Sequence, residues 1–273
     1  MSISCNVISV GAGSAYERSI AVKRRMSRAA GSQCGLFWLG GFKSNMDGTK
    51  ALHVDAYAEQ MGLAYTRFDY SGHGISGGDF VSGTISRWCE EAISVFRSTE
   101  GSQVVIGSSM GGWISLLMSL RLLGRMSRND VIHHLPDGRI AAVVLIAPAV
   151  DFTEQLIWLR LSPDEQDKLL RVGYYDLPST HSCGSVVITR ELIEDGRKNL
   201  LLGGFIDLGC PVYIVQGVDD VEVPWRYSLL LLERISGVDM TISLIHGGDH
   251  SLDRPSDLET ISRVIDMAVS AAR

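Results

Sequence analysis

Ser109 stands in Gly107-Ser108-Ser109-Met110-Gly111-Gly112, a Gly-x-Ser-x-Gly pattern with the apolar run 103–106 before it and the helical run 113–123 after it. A chain that must pass from strand to helix within a few residues forces the serine into a strained conformation and lifts its Oγ above the sheet. Side chains at Gly107 and Gly111 would collide with the neighbouring backbone of so tight a turn. The helix that starts behind the serine points its unpaired N–H groups and positive dipole end toward the place where an oxyanion would develop. These residues suit nucleophilic attack on a carbonyl carbon.

A serine hydroxyl is a weak nucleophile. It needs a base, and the base needs a group that fixes its tautomer. Two downstream segments offer them: Gln216-Gly217-Val218-Asp219-Asp220-Val221-Glu222-Val223-Pro224 and His246-Gly247-Gly248-Asp249-His250-Ser251. Each follows an apolar run that reads as a strand, so each lies on the same rim as Ser109. Asp219 and Asp220 compete for the acid role, and Asp220 is preferred for its place three residues after Gly217 and four before Pro224. His250 is preferred to His246, which ends its strand, because His250 lies in a Gly-rich loop able to reach over the sheet. The oxyanion donors are expected to be the Met110 N–H, directly after the nucleophile, and the Phe42 N–H in Gly40-Gly41-Phe42.

Other features read as structural. Gly11-Ala-Gly-Ser-Ala-Tyr16 imitates a dinucleotide fingerprint, but its third glycine is replaced by Tyr16 and a charged, strand-like segment follows instead of a helix. His133-His134 has no acidic or thiol partner at metal-ligand spacing, so no metal is expected there. Asp69 and His73, in Asp69-Tyr-Ser-Gly-His-Gly-Ile-Ser76, read as turn residues rather than as a second base. Met110, Trp113, Phe42 and Trp158 are candidates to line an acyl pocket, though apolar residues at helical spacing usually belong to the core.

The elements that must hold these groups follow an alternating order. Strand-like runs occur at 19–26, 35–39, 64–68, 103–106, 140–146, 211–215 and 240–245. Between them, Val54, Tyr57, Ala58 and Met61, then Ile85, Trp88, Cys89, Ala92, Ile93 and Phe96, then Ile261, Val264, Ile265, Ala268 and Val269 repeat at the spacing of one buried helix face. Alternation of this kind predicts an α/β fold with a mainly parallel central sheet flanked by helices. Residues 151–204 interrupt it with helical patterns at 152–161, 163–171 and 189–202, so they are expected to form a small helical cap within a single domain spanning 1–273. Residues 125–139 read as a polar loop.

Composition narrows the function classes. The chain has 273 residues, long enough to bury a core without disulfide or metal staples. With 25 Lys and Arg against 31 Asp and Glu, its net charge of −6 offers no footprint for nucleic acid. The apolar run 141–150 contains Pro148 and falls well short of the roughly 20 residues of a membrane helix, so no stable membrane insertion is expected. Five scattered cysteines with no Cys-x-x-Cys pair suit a reducing compartment, and the N-terminus lacks a secretory pattern, so the expected location is cytoplasmic.

Taken together, the motifs resemble the α/β-hydrolase superfamily from about Ile20 onward, in which the chain order is also Ser, Asp, His. Leu39-Gly-Gly-Phe-Lys-Ser-Asn-Met-Asp-Gly-Thr-Lys-Ala51, Arg67-Phe-Asp-Tyr-Ser-Gly-His-Gly74, Gly107-Ser-Ser-Met-Gly-Gly-Trp113 and Asp219-Asp-Val-Glu-Val-Pro-Trp225 look like the group of acyl-protein thioesterases and acyl-glucuronide esterases typified by abhydrolase domain-containing protein 10. The resemblance implies a serine hydrolase that cleaves thioesters of long acyl groups or acyl-glucuronide esters without a cofactor, with its triad at Ser109, Asp220 and His250. Its partner would be a small-molecule or acylated substrate. The same triad also suits a carbon–carbon bond hydrolase or a cofactor-free perhydrolase, and the fold alone would suit a non-catalytic binding protein. Acyl length, leaving group and oligomeric state stay open at this level.

Overall fold

A computed structural model describes residues 3–14, 16–28, 34–126, 138–178 and 185–272. The first half of the chain forms β1 (Ser4–Val10), β2 (Arg18–Arg25), β3 (Gly35–Leu39), α1 (Thr49–Met61), β4 (Tyr65–Phe68), α2 (Ile85–Arg97), β5 (Gln103–Ser108), α3 (Met110–Leu122) and β6 (Ile140–Ile146). It continues through α4 (Pro163–Val172), β7 (Tyr174–Pro178), β8 (Ser185–Thr189), α5 (Arg190–Arg197), β9 (Val212–Gly217), α6 (Trp225–Arg234), β10 (Met240–Ile245) and α7 (Pro255–Ala271).

Eight strands make one sheet in the order β1-β2-β4-β3-β5-β6-β9-β10. β1 and β2 are antiparallel at one edge and the other six strands run parallel, as the alternation predicts. Every residue of β3, β4 and β5 is buried, because helices cover both faces of the sheet. Successive side chains of β3 serve opposite layers. Phe37 and Leu39 pack with Trp88 and Phe96 of α2 and with Trp113 and Leu117 of α3, whereas Leu36 and Trp38 pack with Val54 of α1 and Ile261 and Ile265 of α7. All thirteen residues of α3 are buried, which places the helix behind Ser109 wholly within the core.

Three elements depart from the sequence expectation. β1 is exposed along most of its length, so it carries no buried stripe for a periodicity to register. α6 buries only Ser228 and Leu231, and its run of four leucines has no helical period. Residues 151–204 are not wholly helical: β7 and β8 pair as an antiparallel ribbon, α5 is shorter than the pattern 189–202, and 152–161 forms a wide π-type turn followed by a 3-10 turn. The Gly11 and Gly13 segment is the turn that joins β1 to β2, with both glycines at positive φ.

The two ends of that excursion are joined by one side chain. Asp151 has φ 57° and is 1% exposed, and its carboxylate accepts the Leu201 N–H at 2.9 and 3.1 Å and the Leu202 N–H at 2.9 Å. Nearby, buried Asn199 accepts from Arg121 Nη2 at 2.9 Å and donates to Ser86 Oγ at 2.9 Å, which pins the returning chain to α3 and α2. Burial pushes the Asp151 carboxyl up to about 6, against the pull of the Leu202 and Leu201 N–H groups. A carboxyl raised in the folded state adds stability below its unfolded value and loses it as pH climbs through the folded value. Replacing it with a group that does not titrate removes that loss. The unfolding free energy of Asp151→Asn minus that of the native protein is therefore expected to rise by about 2 kcal/mol between pH 4 and pH 7.5, measured by urea titration at each pH.

Candidate active site

β5 ends at Ser108 and α3 begins at Met110, so Ser109 alone spans the change of direction. It does so at φ 55° and ψ −118°, a conformation that costs a side-chain-bearing residue about 1–3 kcal/mol and survives only under support. That support is visible in its backbone: the Ser109 N–H donates to Ile146 O at 2.9 Å, and its carbonyl accepts from Gly112 N at 2.9 Å and Ala149 N at 3.1 Å. Close approach explains Gly111, where a Cβ would lie 2.1 Å from Leu39 O.

Three strand ends bring the chemistry together. Ser109 Oγ lies 3.0 Å from His250 Nε2, and His250 Nδ1 lies 2.8 Å from Asp220 Oδ2. When Nδ1–H donates to Asp220, Nε2 carries the lone pair that accepts the Ser109 hydroxyl proton. Asp220 is buried, and its second oxygen accepts from Glu222 N at 3.0 Å and Val223 N at 2.8 Å. Of the two neighbouring aspartates, Asp220 is the one within hydrogen-bond reach of His250. Asp219 is exposed and its N–H is spent on Gly248 O at 2.8 Å, which leaves Asp220 facing the histidine. His246 is exposed beyond the end of β10.

Gln216 has a role the sequence reading did not assign. It is fully buried at the end of β9, and its Nε2 donates to Asp220 Oδ2 at 3.0 Å and to the Gly217 and Val223 carbonyls at 3.1 Å each. Ser228 of α6 donates to its Oε1 at 2.9 Å. One amide thus holds the acid loop at both ends. The available signal was an uncharged polar residue inside an otherwise apolar strand.

The expected oxyanion segment lies against the serine. A Cβ on Gly41 would sit 3.3 Å from Ser109 Cβ and 3.8 Å from its Oγ, so glycine lets this loop reach the nucleophile. Phe42 follows directly and stacks against Phe80, Trp88 and Phe152. A cavity of about 780 Å³ opens above Ser109, within the range of small-molecule sites. Its apolar wall includes Phe42, Met110, Phe152, Leu156, Leu161 and Ile188, the last four contributed by 151–204. Trp113 instead packs in the core edge-on to Phe152, and the Trp158 ring lies under the Arg197 guanidinium at 4.4 Å.

Charged groups ring the mouth. Lys50 donates to the carbonyl of Ser251, next to His250, and burial pushes its ammonium down against the opposing pull of Asp253, Asp249 and Asp220. Glu222 Oε2 lies 3.6 Å from His250 Nε2. Asp69 is structural, as expected, and accepts Met46 N–H at 2.6 Å and Ile75 N–H at 2.9 Å. His133 and His134 lie outside the described residues. Among the described residues, no group of three or more His, Cys, Asp and Glu is placed to hold a metal ion.

No protein-family model matches the chain. Among curated proteins, palmitoyl-protein thioesterase ABHD10 of Bos taurus is 31% identical over 242 residues, covering 88% of this chain and 74% of the relative. The Mus musculus counterpart is 30% identical over 241 residues, covering 88% of this chain and 76% of its own. A solved structure of a protein from Agrobacterium vitis S4 superposes with a TM-score of 0.90 at 41% identity, covering 98% of this chain and 100% of its own. The structure of alpha/beta hydrolase domain-containing protein 10 from mouse matches with a TM-score of 0.82 at 27% identity over the full length of both chains.

Gly111→Ala should push the Leu39–Gly40 backbone off the serine turn. Because a misplacement of about 1 Å can cost about 100-fold, kcat/KM toward an activated ester should fall by that factor or more. Steady-state kinetics on the folded variant checks this.

Proposed function

Since the chain belongs to the ABHD10 family of α/β-hydrolases, we propose that it is a serine hydrolase cleaving carboxylic ester and thioester bonds through an acyl-enzyme on Ser109. The observation that carries this reading is the hydrogen-bonded line from Ser109 Oγ through His250 to Asp220, at 3.0 and 2.8 Å, beneath an apolar cavity.

In this reading Ser109 Oγ attacks the acyl carbon while His250 Nε2 takes its proton. The oxyanion that forms accepts hydrogen bonds from the Met110 and Phe42 N–H groups. Collapse of the tetrahedral intermediate breaks the bond to the leaving alcohol or thiol, and His250 returns the proton to it. Water then enters, gives a proton to His250, and releases the acid and a regenerated Ser109. Asp220 accepts the Nδ1–H and so holds that tautomer, with Gln216 and the Glu222 and Val223 N–H groups keeping its carboxylate in place.

Residues 151–204 act as the cap that gives the acyl chain its apolar surroundings, since Phe152, Leu156, Leu161 and Ile188 face the cavity. The substrate class is therefore an acylated small molecule or protein whose acyl arm is hydrophobic. No helix among the described residues is long and apolar enough to cross a membrane. Cysteine usage favours a reducing compartment and we place the enzyme in the cytoplasm; the mammalian relatives carry the word mitochondrial in their names, the competing address.

A fluorophosphonate probe is expected to add one adduct, mapped to Ser109 by peptide mass spectrometry and absent from Ser109→Ala; equal labelling of that variant would overturn the assignment. Asp220→Asn should keep the fold and lose about 10⁴-fold in kcat. A hydrolysis panel crossing acyl-chain length with oxygen-ester, thioester and glucuronide leaving groups is expected to show kcat/KM rising with chain length, as an apolar pocket requires. A flat profile would remove the cap from the acyl site.

A further inference from the structure

His73 is the one histidine in the Asp69–Ser76 turn, and it is 4% exposed. Its ring is enclosed by Tyr70, Phe80 and Trp88, with ring centroids 5.2 to 5.7 Å away. Nothing in the proton relay uses it. Both ring nitrogens are nevertheless engaged with backbone: Nδ1 lies 3.1 Å from Ser71 O, and Nε2 lies 3.1 Å from Lys43 N. A carbonyl can only accept and an N–H can only donate, so this environment selects the neutral ring with its proton on Nδ1.

The Lys43 N–H belongs to the segment that meets the serine. Gly41 O accepts Ser44 N–H at 3.1 Å and Ser44 Oγ–H at 2.8 Å, so residues 41–44 form a β-turn with Phe42 and Lys43 at its centre. Lys43 has φ 60°, which in the second central position gives the type II form that ordinarily calls for glycine. A lysine there needs an outside partner to hold the central peptide. That partner is His73. The Gly41–Phe42 peptide is clamped separately by Ser44 on its carbonyl, and a trans peptide then aims the Phe42 N–H the opposite way. We propose that His73 is a positioning residue that locks the Gly41–Ser44 turn through the Lys43 N–H and so keeps the Phe42 N–H aimed at the oxyanion.

The anchor continues inward. Ser71, whose carbonyl receives His73 Nδ1–H and Trp88 Nε1–H, donates its own N–H to Glu91 Oε2 at 2.9 Å, and the fully buried Glu91 pairs with Arg18 at 2.7 Å. The turn beside Ser109 is thereby tied to β2 and α2, two elements away from the triad. Burial lowers the His73 pKa, which preserves the neutral ring whose Nε2 can accept.

The inference rests on reading Phe42 as an oxyanion donor, and the two can fail separately. Three proteins are compared: the native chain, His73→Leu, which fills the space without an acceptor, and His73→Gln, whose Oε1 reaches about where Nε2 does. With a short-chain activated ester, His73→Leu is expected to lose about 10- to 100-fold in kcat with KM within about threefold, less than the roughly 100- to 1000-fold for outright loss of an oxyanion donor because the Phe42 N–H is misaimed and not removed. His73→Gln should recover most of that loss. Native kcat in His73→Leu, or an equal loss in His73→Gln, would overturn the positioning role. Should His73→Leu fail to fold, imidazole ¹⁵N spectra of the native protein decide: a protonated Nδ1 with an accepting Nε2 is expected between pH 6 and 8, and a proton on Nε2 would sink the proposal. A native protein that neither turns over esters nor labels with fluorophosphonate would instead count against the catalytic reading itself.

Discussion

Everything around the site depends on holding one side-chain-bearing residue at positive φ between a buried strand and a buried helix. Ser109 cannot relax from that conformation because its N–H and carbonyl are both committed, to Ile146 on one side and to Gly112 and Ala149 on the other. β5 supplies a buried base and α3, buried on every side, supplies a rigid backstop. Strain at this point is affordable only because the surrounding core over-determines it. The hydroxyl at the cavity floor, the helix terminus behind it and the close approach of Gly41 all follow from the same sharp turn.

Parallel strands have a further effect. Connections that carry Ser109, Asp220 and His250 leave from the carboxyl ends of β5, β9 and β10, so three segments distant in sequence meet on one rim. Each is then stiffened by a partner that is not itself reactive: Gln216 for the acid loop, Lys50 for the carbonyl beside His250, and Ser44 and His73 for the turn beside the nucleophile. Preorganisation of this kind lets polar groups face developing charge without rearranging when it appears. The reactive atoms are few, and the groups that aim them outnumber them.

The sheet strands after β1, the serine turn and the order of the three polar residues were legible in the sequence, because buried strands are continuously apolar and a strand-to-helix turn demands glycines at fixed offsets. Spacing favoured Asp220 over Asp219, but the hydrogen bond from the Asp219 N–H to Gly248 O, in the loop after the neighbouring β10, leaves no trace in it. β1, α6 and the β7–β8 ribbon left little trace since exposed elements need no hydrophobic period. Gln216 and Asp151 stood in plain view in the sequence without disclosing their partners. Their hydrogen bonds join residues that only the folded topology brings together, and no local pattern encodes such a pairing.

Asp151 also fixes where the excursion over the cavity starts and finishes. Because its carboxylate accepts the N–H groups of Leu201 and Leu202, fifty and fifty-one residues on, the two ends of the path over the cavity are held together at one point. A detour whose ends are already stapled contributes little extra closure entropy when it grows or shrinks, since that cost rises only with the logarithm of length. Below the staple, Ser109, Asp220 and His250 sit on loops tied to the strands of the sheet. Above it, a segment made longer or shorter would still begin and end where Asp151 holds it, so the roof of the cavity can change shape without moving the strand ends beneath.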